Sequence, residues 1–428
     1  MIGFGHALWA YTLARGRQRT LRNRSAVERY QARRMVALGR HLRHTIPFYA
    51  TIEPERPDRW PIMDKERLLA NFDAMNIAGL SLDRVRDALA QGGSTVDGHA
   101  VGHSTGTSGK RGYFVIGEAE RFVWLGTLLA KTLPDALWRR HRVALALPGF
   151  SRLYRSAGDG SRVRLGLFDL ADGVDAWQDR LTAFAPDTIV APPKVLRLLA
   201  ERGRLTAATI FSAAEVLDPL DEAVIEGATG RRVRQIYMAS EGLFGVSCAY
   251  GTLHLAEDVV RFEWEAGPDG SGLVQPIVSD FTRRVQAMAR YRMNDLLLLD
   301  HAPCQCGSSF QAVRRIEGRS DDVFWLADRA GALRPVTPDV VRNALLDADR
   351  SIDDFRVVQT GPSRLAVQLP DGHGEATAVA TGFARLADCL GLASLELEVG
   401  RGIAPPFDRK LRRVRRDWMP PQSITVRS

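Results

Sequence analysis

Two periods of apolar residues run along this chain, and the change from one to the other divides it. Between Val143 and Tyr237, short apolar runs alternate with helical patterns. Val143–Leu147, ended by Pro148, and Val163–Phe168 predict buried strands, because runs this short closed by a breaker do not make helices. Val174, Trp177, Leu181 and Phe184 share one helical face, and Pro186 closes it. Thr188–Ala191 then reads as strand, Lys194–Arg202 as helix, Thr209–Phe211 as strand, Pro219–Thr229 as helix and Val233–Tyr237 as strand. Such alternation predicts an α/β sheet that is largely parallel, whose ligands sit in loops beyond the carboxyl ends of the strands.

The flanking regions follow other patterns. Met1 to Ala14 is apolar, with Trp9 and Tyr11, and arginines follow at 15, 17, 19, 22 and 24. This predicts a helix packed on the domain in preference to one lying on a membrane. No run reaches the roughly 20 apolar residues of a membrane span. Ser25-Ala26-Val27-Glu28 has capping-box spacing, which predicts a helix from there to about Arg43, ended by Pro47. From there to Ile116 the pattern is irregular, with short helices and a glycine-rich part from Gly92 to Gly112. Beyond about Asp321, strands are predicted at Val323–Leu326, Phe355–Gln359, Leu365–Leu369 and Leu395–Val399. Apolar side chains at 365, 367, 369 and at 395, 397, 399 mark a half-exposed sheet. Thr337-Pro338 predicts a capped helix start, and Glu375 to Leu390 a second helix. The reading is a large α/β domain, residues 1–320, with sheets flanked by helices, followed by a small α+β domain, residues 321–428.

Composition narrows the class. The chain has 428 residues, 45% hydrophobic and 25% charged, which excludes collagen-like, disulfide-scaffold and wholly disordered proteins. Its net charge, 58 − 50 = +8, favours anionic partners such as nucleotides, coenzyme A or an acidic protein. Four cysteines are too few for a disulfide framework and point to a reducing, cytoplasmic setting.

Three of those cysteines cluster. Cys248 and His254 are six apart, and Cys304 and Cys306 follow about fifty residues later. Three thiolates and an imidazole complete a tetrahedral zinc set with no open position, so such a site is structural. A thiol cluster or a redox pair would use the same residues. Cys389 is left over and is expected to be buried.

Ser104-Thr105-Gly106-Thr107-Ser108-Gly109-Lys110-Arg111-Gly112 is the segment richest in chemistry. Glycines let backbone amides converge on an anion, and the hydroxyls and lysine add donors and charge. It is either a phosphate loop or a linker. It is not a Walker A loop, which needs glycine where Ser104 stands.

The loop resembles the phosphate-binding motif of adenylate-forming enzymes, the superfamily of acyl-CoA ligases. Four further segments fit in order. Tyr237-Met238-Ala239-Ser240-Glu241-Gly242 is similar to the family's aromatic-Gly-x-Thr-Glu motif, and Tyr291-Arg292-Met293-Asn294-Asp295 to its Tyr-Arg-Thr-Gly-Asp motif. Gly318-Arg319-Ser320-Asp321-Asp322 resembles its hinge motif, and Lys410 its C-terminal catalytic lysine. Thr45–Tyr49, Pro61-Ile62-Met63-Asp64-Lys65 and His254–Asp258 resemble the phenylacetate-CoA ligase and coenzyme F390 synthetase branch. Some members of that branch carry a zinc site of this kind. The chain departs from the family at Arg111, Ala239, Ser240, Met293 and Asn294.

The resemblance implies an enzyme that uses ATP and Mg2+ to turn a carboxylate into an acyl-adenylate. It then passes the acyl group to coenzyme A or an acyl carrier protein. Ser104, Thr105, Gly106, Thr107, Ser108, Gly109 and Lys110 would hold phosphates, and Glu241 the Mg2+. Asp295 would hold the ribose, with Arg319 beside it. Ala214, Glu215 and Ser240 would line the adenine and acyl site. Tyr237 would either stack on adenine or fill the core. Lys410 would bridge carboxylate and phosphate, and Asp321 would be the hinge of a mobile C-terminal domain. The branch suggests an aromatic acid, such as a hydroxybenzoate for pigment synthesis. Adenylyl transfer to a non-carboxylate, a ligase fold without activity, and a zinc-stapled basic module that binds nucleic acid are the competing readings. The last lacks any aromatic-interleaved basic motif.

Overall fold

The computed structural model describes residues 2–104, 111–147, 162–268, 270–403 and 411–420. The chain forms two compact units. One comprises Met1–Glu265, Pro276–Met293 and Leu299–Arg314, and the other Ala266–Gln275, Asn294–Leu298 and Arg315–Ser428.

In the first unit, α1 (Ile2–Thr20) and α2 (Arg24–Thr45) precede two short helices, α3 (Lys65–Ala70) and α4 (Leu82–Ala90). Asn23, not the Ser25 box, caps α2, its side chain accepting from the Ala26 amide. Asn23 holds the extended backbone that a cap requires, whereas Ser25 is already helical. The supposedly irregular stretch contains a small antiparallel sheet: β1 (Thr95–Val96), β2 (His99–His103) and β3 (Tyr113–Ile116). Its strands, of two, five and four residues, are too short for period-two patterning to show. Next, α5 (Glu118–Thr132) packs on α1 at almost backbone distance. A Cβ on Gly126 would lie 2.0 Å from the Ala7 carbonyl oxygen, and the Tyr11 hydroxyl donates to the Leu133 carbonyl. Tyr11, Ala14, Ala130 and Leu133 are buried there, while Trp9 stays exposed.

The alternating region follows the predicted order: β4 (His141–Leu147), β5 (Val163–Asp169), α6 (Gln178–Phe184), β6 (Thr188–Ala191), α7 (Pro193–Glu201), β7 (Thr209–Ser212), α8 (Pro219–Thr229) and β8 (Val233–Ala239). These five strands pair in parallel in the order β5-β4-β6-β7-β8. Parallel strands are covered on both faces, which is why β6 is buried throughout and reads as a plain apolar run. One difference appears at Val174–Ala176, which form a 3-10 turn ahead of α6 because Gly173 adopts φ +79. Antiparallel strands extend the sheet: β9 (Gly242–Ser247), β10 (Leu253–Leu255), β11 (Val260–Ala266), β12 (Val274–Asp280), β13 (Tyr291–Arg292), β14 (Asp295–Asp300) and β15 (Ala312–Arg319). β8 pairs β9, β9 pairs β10 and β10 pairs β15, all antiparallel. The α/β class with a mixed sheet flanked by helices is thus observed.

The second unit contains the hairpin of β16 (Phe324–Ala327) and β17 (Leu333–Val336), helices α9 (Pro338–Leu346) and α10 (Ala376–Leu390), and a sheet ordered β20-β19-β18-β21. These last strands are β18 (Arg356–Gln359), β19 (Arg364–Leu369), β20 (Glu396–Arg401) and β21 (Val414–Arg416). Leu365, Val367 and Leu369 point inward in β19, as the alternation predicts. Thr337 occupies the cap position of α9, but its hydroxyl makes no capping bond. Cys389 is exposed, not buried: Val379, Phe383 and Ala387 form the inward face of α10, and position 389 falls off it.

Candidate functional site

Residues Ser240 and Glu241 form the two-residue connection between the paired ends of β8 and β9. The Ser240 hydroxyl donates to Glu241 Oε2 at 2.9 Å. The Tyr291 hydroxyl hydrogen-bonds Glu241 as well. Burial, then the charges of Glu241 and Asp64, drive the Tyr291 phenol far above its usual range, so it stays a donor. Tyr291 is held between two backbone bonds to one residue: the Met63 amide donates to the Arg290 carbonyl at 2.8 Å, and the Arg292 amide to the Met63 carbonyl at 2.7 Å.

Behind Glu241 the packing leaves no room for a side chain. A Cβ on Gly242 would stand 2.8 Å from Asp280 Oδ2. Asp280 is buried, and burial pushes its carboxyl up, against hydrogen bonds from the Thr282 amide and hydroxyl at 2.7 and 2.6 Å. Arg283 donates to the Ser240 carbonyl at 3.4 Å. Glu241 therefore presents a fixed carboxylate from a braced turn, a suitable donor for a hard cation such as Mg2+.

The glycine loop leaves the end of β2 through a closed neck. The Ser104 amide donates to the Gly112 carbonyl at 2.7 Å, and the Gly112 amide to Ser104 Oγ at 2.9 Å. Thr105, Gly106, Thr107, Ser108, Gly109 and Lys110 lie outside the described residues. At the carboxyl end of β7, Ala214 adopts φ +69, a left-handed conformation that favours glycine. Glu215 beside it pairs with Lys194 of α7 at 3.1 Å, with side chains 7% and 5% exposed. Tyr237 is buried in β8, its ring 5.3 Å from that of Phe244.

In the second unit, two sequence-distant segments lie side by side at the start of β14 and the end of β15. The Ser320 amide donates to the Asn294 carbonyl at 2.7 Å, Asn294 Nδ2 to Asp321 Oδ2 at 2.8 Å, and Arg319 Nε stands 3.7 Å from Asp295 Oδ1. Asp322 is paired with Arg412, and burial pushes the Asp322 carboxyl up against that partner. Lys410 lies outside the described residues.

Cys248, His254, Cys304 and Cys306 come together, their ligand atoms all within 4.8 Å of one another. Two tight turns present them. Gly251, at φ +85, reverses the chain between Cys248 and His254, and Gly307, at φ +71, follows the Cys304–Cys306 pair. The Cys248 and Cys304 sulfurs are 3.8 Å apart, and Cys306 Sγ is 3.2 Å from His254 Nε2. Zn–S bonds of about 2.3 Å in a tetrahedron place sulfurs about 3.8 Å apart, so the set fits zinc. His254 Nδ1 bonds the Phe310 carbonyl at 3.0 Å, which leaves Nε2 to face the sulfurs. Burial opposes ionisation of Cys304, but hydrogen bonds with Thr252, the Cys306 amide, His254 and the Cys306 thiol bring it to about 6. Burial pushes Cys306 up to about 12. All four cysteines are unpaired by disulfide.

The sequence reading assigned no role to Lys194, Asp280, Arg283 or Tyr291. Lys194 carried a signal, a cation in the first turn of a helix after Pro192-Pro193. Asp280 and Arg283 carried none, because their importance comes from packing across strands.

Solved structures similar to this chain include an acyl-CoA ligase. The chain superposes on 2-hydroxyisobutyryl-CoA ligase in the postadenylation state, in complex with 2-HIB-AMP, with a TM-score of 0.66 and 21% identity, covering 92% of this chain and 89% of that one. An open conformation of that ligase in complex with 2-HIB-AMP and CoA gives 0.58 at 20% identity, over 91% and 90%. The ATP-bound RpMatB-BxBclM chimera B1 gives 0.52 at 16% identity, over 72% and 65%. No protein-family model matches the chain, and no curated protein matches it. The fold is that of the adenylate-forming ligases. Among the described residues, no helix is long and apolar enough to cross a membrane.

Proposed function

We propose that the protein is an AMP-forming acid–thiol ligase. A carboxylate oxygen attacks the α-phosphorus of ATP, pyrophosphate leaves, and a thiol sulfur then attacks the acyl carbon and expels AMP. The observation that carries this reading is the braced Glu241 carboxylate with its Tyr291 donor, in a fold shared over nearly the whole chain with a ligase that holds an acyl-adenylate.

Two anions must meet in the first step, so neutralising charge is the main requirement. Thr105, Ser108 and Lys110, with Ser104, Gly106, Thr107 and Gly109 as their frame, would hold the phosphates. A Mg2+ on Glu241 would supply further neutralisation. Asp295 would accept from the ribose hydroxyls with Arg319 beside it. Ala214, Glu215, Ser240 and Tyr237 would line the adenine and acyl site. Lys410 would offset the charge gathering between carboxylate and phosphate, and Asp321 would be the hinge between a domain of residues 1–320 and one of 321–428. Cys248, His254, Cys304 and Cys306 would hold structural zinc.

The resemblance to phenylacetate-CoA ligases favours an aromatic acid, a hydroxybenzoate type for pigment synthesis in particular. The acceptor thiol belongs to coenzyme A or to the phosphopantetheine arm of a carrier protein, and the basic chain suits both anionic partners. The setting is the cytoplasm. A panel of carboxylic acids assayed for pyrophosphate release, with Lys410→Ala alongside, tests the proposal. One aromatic class gives a clear signal that falls by about 10²–10³ in the variant. Absence of release with every acid rejects the ligase reading.

A further inference from the structure

The loop that carries Cys304 and Cys306 also carries the contacts that hold the bend between the first two helices. α1 ends at Thr20 and α2 begins at Arg24. Leu21 and Val27, on either side of that bend, are buried in one apolar cluster with Phe310, and Ala26 and Tyr30 pack on it. The Ser309 hydroxyl donates to the Leu21 carbonyl. The Gln311 amide donates to Glu257 Oε2 at 2.7 Å, the oxygen that also accepts from Arg24 Nη1 at 2.7 Å. Three consecutive residues of the loop thus meet the bend through a hydroxyl, an aromatic ring and a shared carboxylate.

That run begins three residues after Cys306. Residues 301–311 form neither helix nor strand, so the loop takes its shape from its ends and its side chains. At the far end the Leu255 amide donates to the Gln311 carbonyl at 2.9 Å. At the near end the thiols hold it, and thiols are weak hydrogen-bonding groups: Cys304 Sγ lies 3.3 Å from Thr252 Oγ1 and 3.8 Å from Cys248 Sγ. Bonds from four ligands to one metal would replace these weak contacts. His254 links the two ends, with Nε2 3.2 Å from Cys306 Sγ and Nδ1 3.0 Å from the Phe310 carbonyl oxygen. A ring fixed by a metal at Nε2 fixes the Phe310 backbone through Nδ1.

The rest of both helices has anchors of its own. Tyr11 bonds the Leu133 carbonyl, Arg17 and Tyr30 the Asp258 carbonyl, and Gln31 the carbonyls of Glu257 and Val260. None of these passes through the loop, so the reach of the metal is confined to the bend. We infer that a metal held by Cys248, His254, Cys304 and Cys306 fastens the α1–α2 bend to the sheet through Ser309, Phe310 and Gln311. This rests on the zinc reading of those four residues and not on the ligase reading.

Hydrogen exchange of the full-length protein, followed by mass spectrometry with zinc bound and after removal by a chelator, tests it. Peptides spanning residues 18–28 are expected to exchange about tenfold faster without zinc, while those spanning 5–14 and 120–132 keep their rates. Coupling is reciprocal, so loosening the bend must also loosen the metal. Ser309→Ala, which removes one hydrogen bond and no ligand, should lose zinc to a competing chelator about fivefold more readily. Unchanged exchange in 18–28 on zinc removal overturns the inference. Equal acceleration in all three regions overturns it too, since the metal would then act on the whole unit. Zinc affinity in Ser309→Ala equal to that of the wild type also overturns it. Metal analysis of the wild type comes first: protein that neither carries nor takes up zinc removes the zinc reading and the inference together, whereas bound zinc without the local effect removes the inference alone.

Discussion

The first unit contains two places suited to a metal ion, and they are built in opposite ways. Around Cys248, His254, Cys304 and Cys306, four protein donors face one another within 4.8 Å. Nothing is left for a substrate to coordinate, so a metal there would act through the fold. At Glu241 one carboxylate stands at a hairpin tip, held by a serine and a tyrosine. A cation there would keep most of its coordination sphere for water and phosphate oxygens, as Mg2+ prefers. A metal in the closed site would tie strands together; one at the open site would be completed only by what the protein binds.

Four measurements would break or sharpen that contrast. The largest effect belongs to the closed site. Replacing Cys304 and Cys306 together with serine should remove bound zinc, measured by metal analysis, and cost about 4 kcal/mol of stability. At about 2–4 °C per kcal/mol, the melting temperature should fall by roughly 8–16 °C. A double variant that melts with the wild type would reduce the cluster to a group of neighbouring thiols. Glu241→Gln should do the reverse, lowering the pyrophosphate-release rate about 10²-fold while melting is unchanged. If melting fell as far as with the cysteines, the hairpin tip would be part of the scaffold and the contrast would disappear. Tyr291→Phe removes only the hydroxyl that fixes Glu241. A loss of about 1 kcal/mol, or roughly fivefold in rate, is expected at saturating acid, and full activity would show that Ser240 suffices. The smallest effect serves as a control. Arg329 and Asp388 form an exposed ion pair at 2.8 Å, and Arg329→Ala should alter neither rate nor melting.

The parallel half of the sheet was readable from residue order, because short, largely apolar runs alternate there with helical patterns. Thr188–Ala191 and Pro219–Thr229 match the structure residue for residue. The α/β class followed from that alternation. The antiparallel half was harder. β10 spans three residues and β13 two, below the length at which a period can be recognised. Local rules failed where a neighbour in space decided. Asn23 displaced the Ser25 box as the cap, and Cys389 turned outward because α10 buries a different stripe. The four zinc-type residues were visible as a set, but their closeness depends on two glycine turns and a strand pairing that spacing alone does not encode. Glu241 was visible through its motif. Its support from Asp280 and Arg283 was not, since those contacts cross strands forty residues apart in the chain.

The crossing of the first helix with α5 has a practical consequence. With the Ala7 carbonyl 2.0 Å from where a Cβ on Gly126 would stand, the two backbones touch with no side chain between them. That helix is therefore one wall of the packed core beneath it. Protein trimmed of its first twenty residues would present Ala130, Leu133 and the partly buried Trp124, Leu128 and Leu129 to water. Such a shortened chain would self-associate, so an affinity handle belongs before that helix and not in place of it.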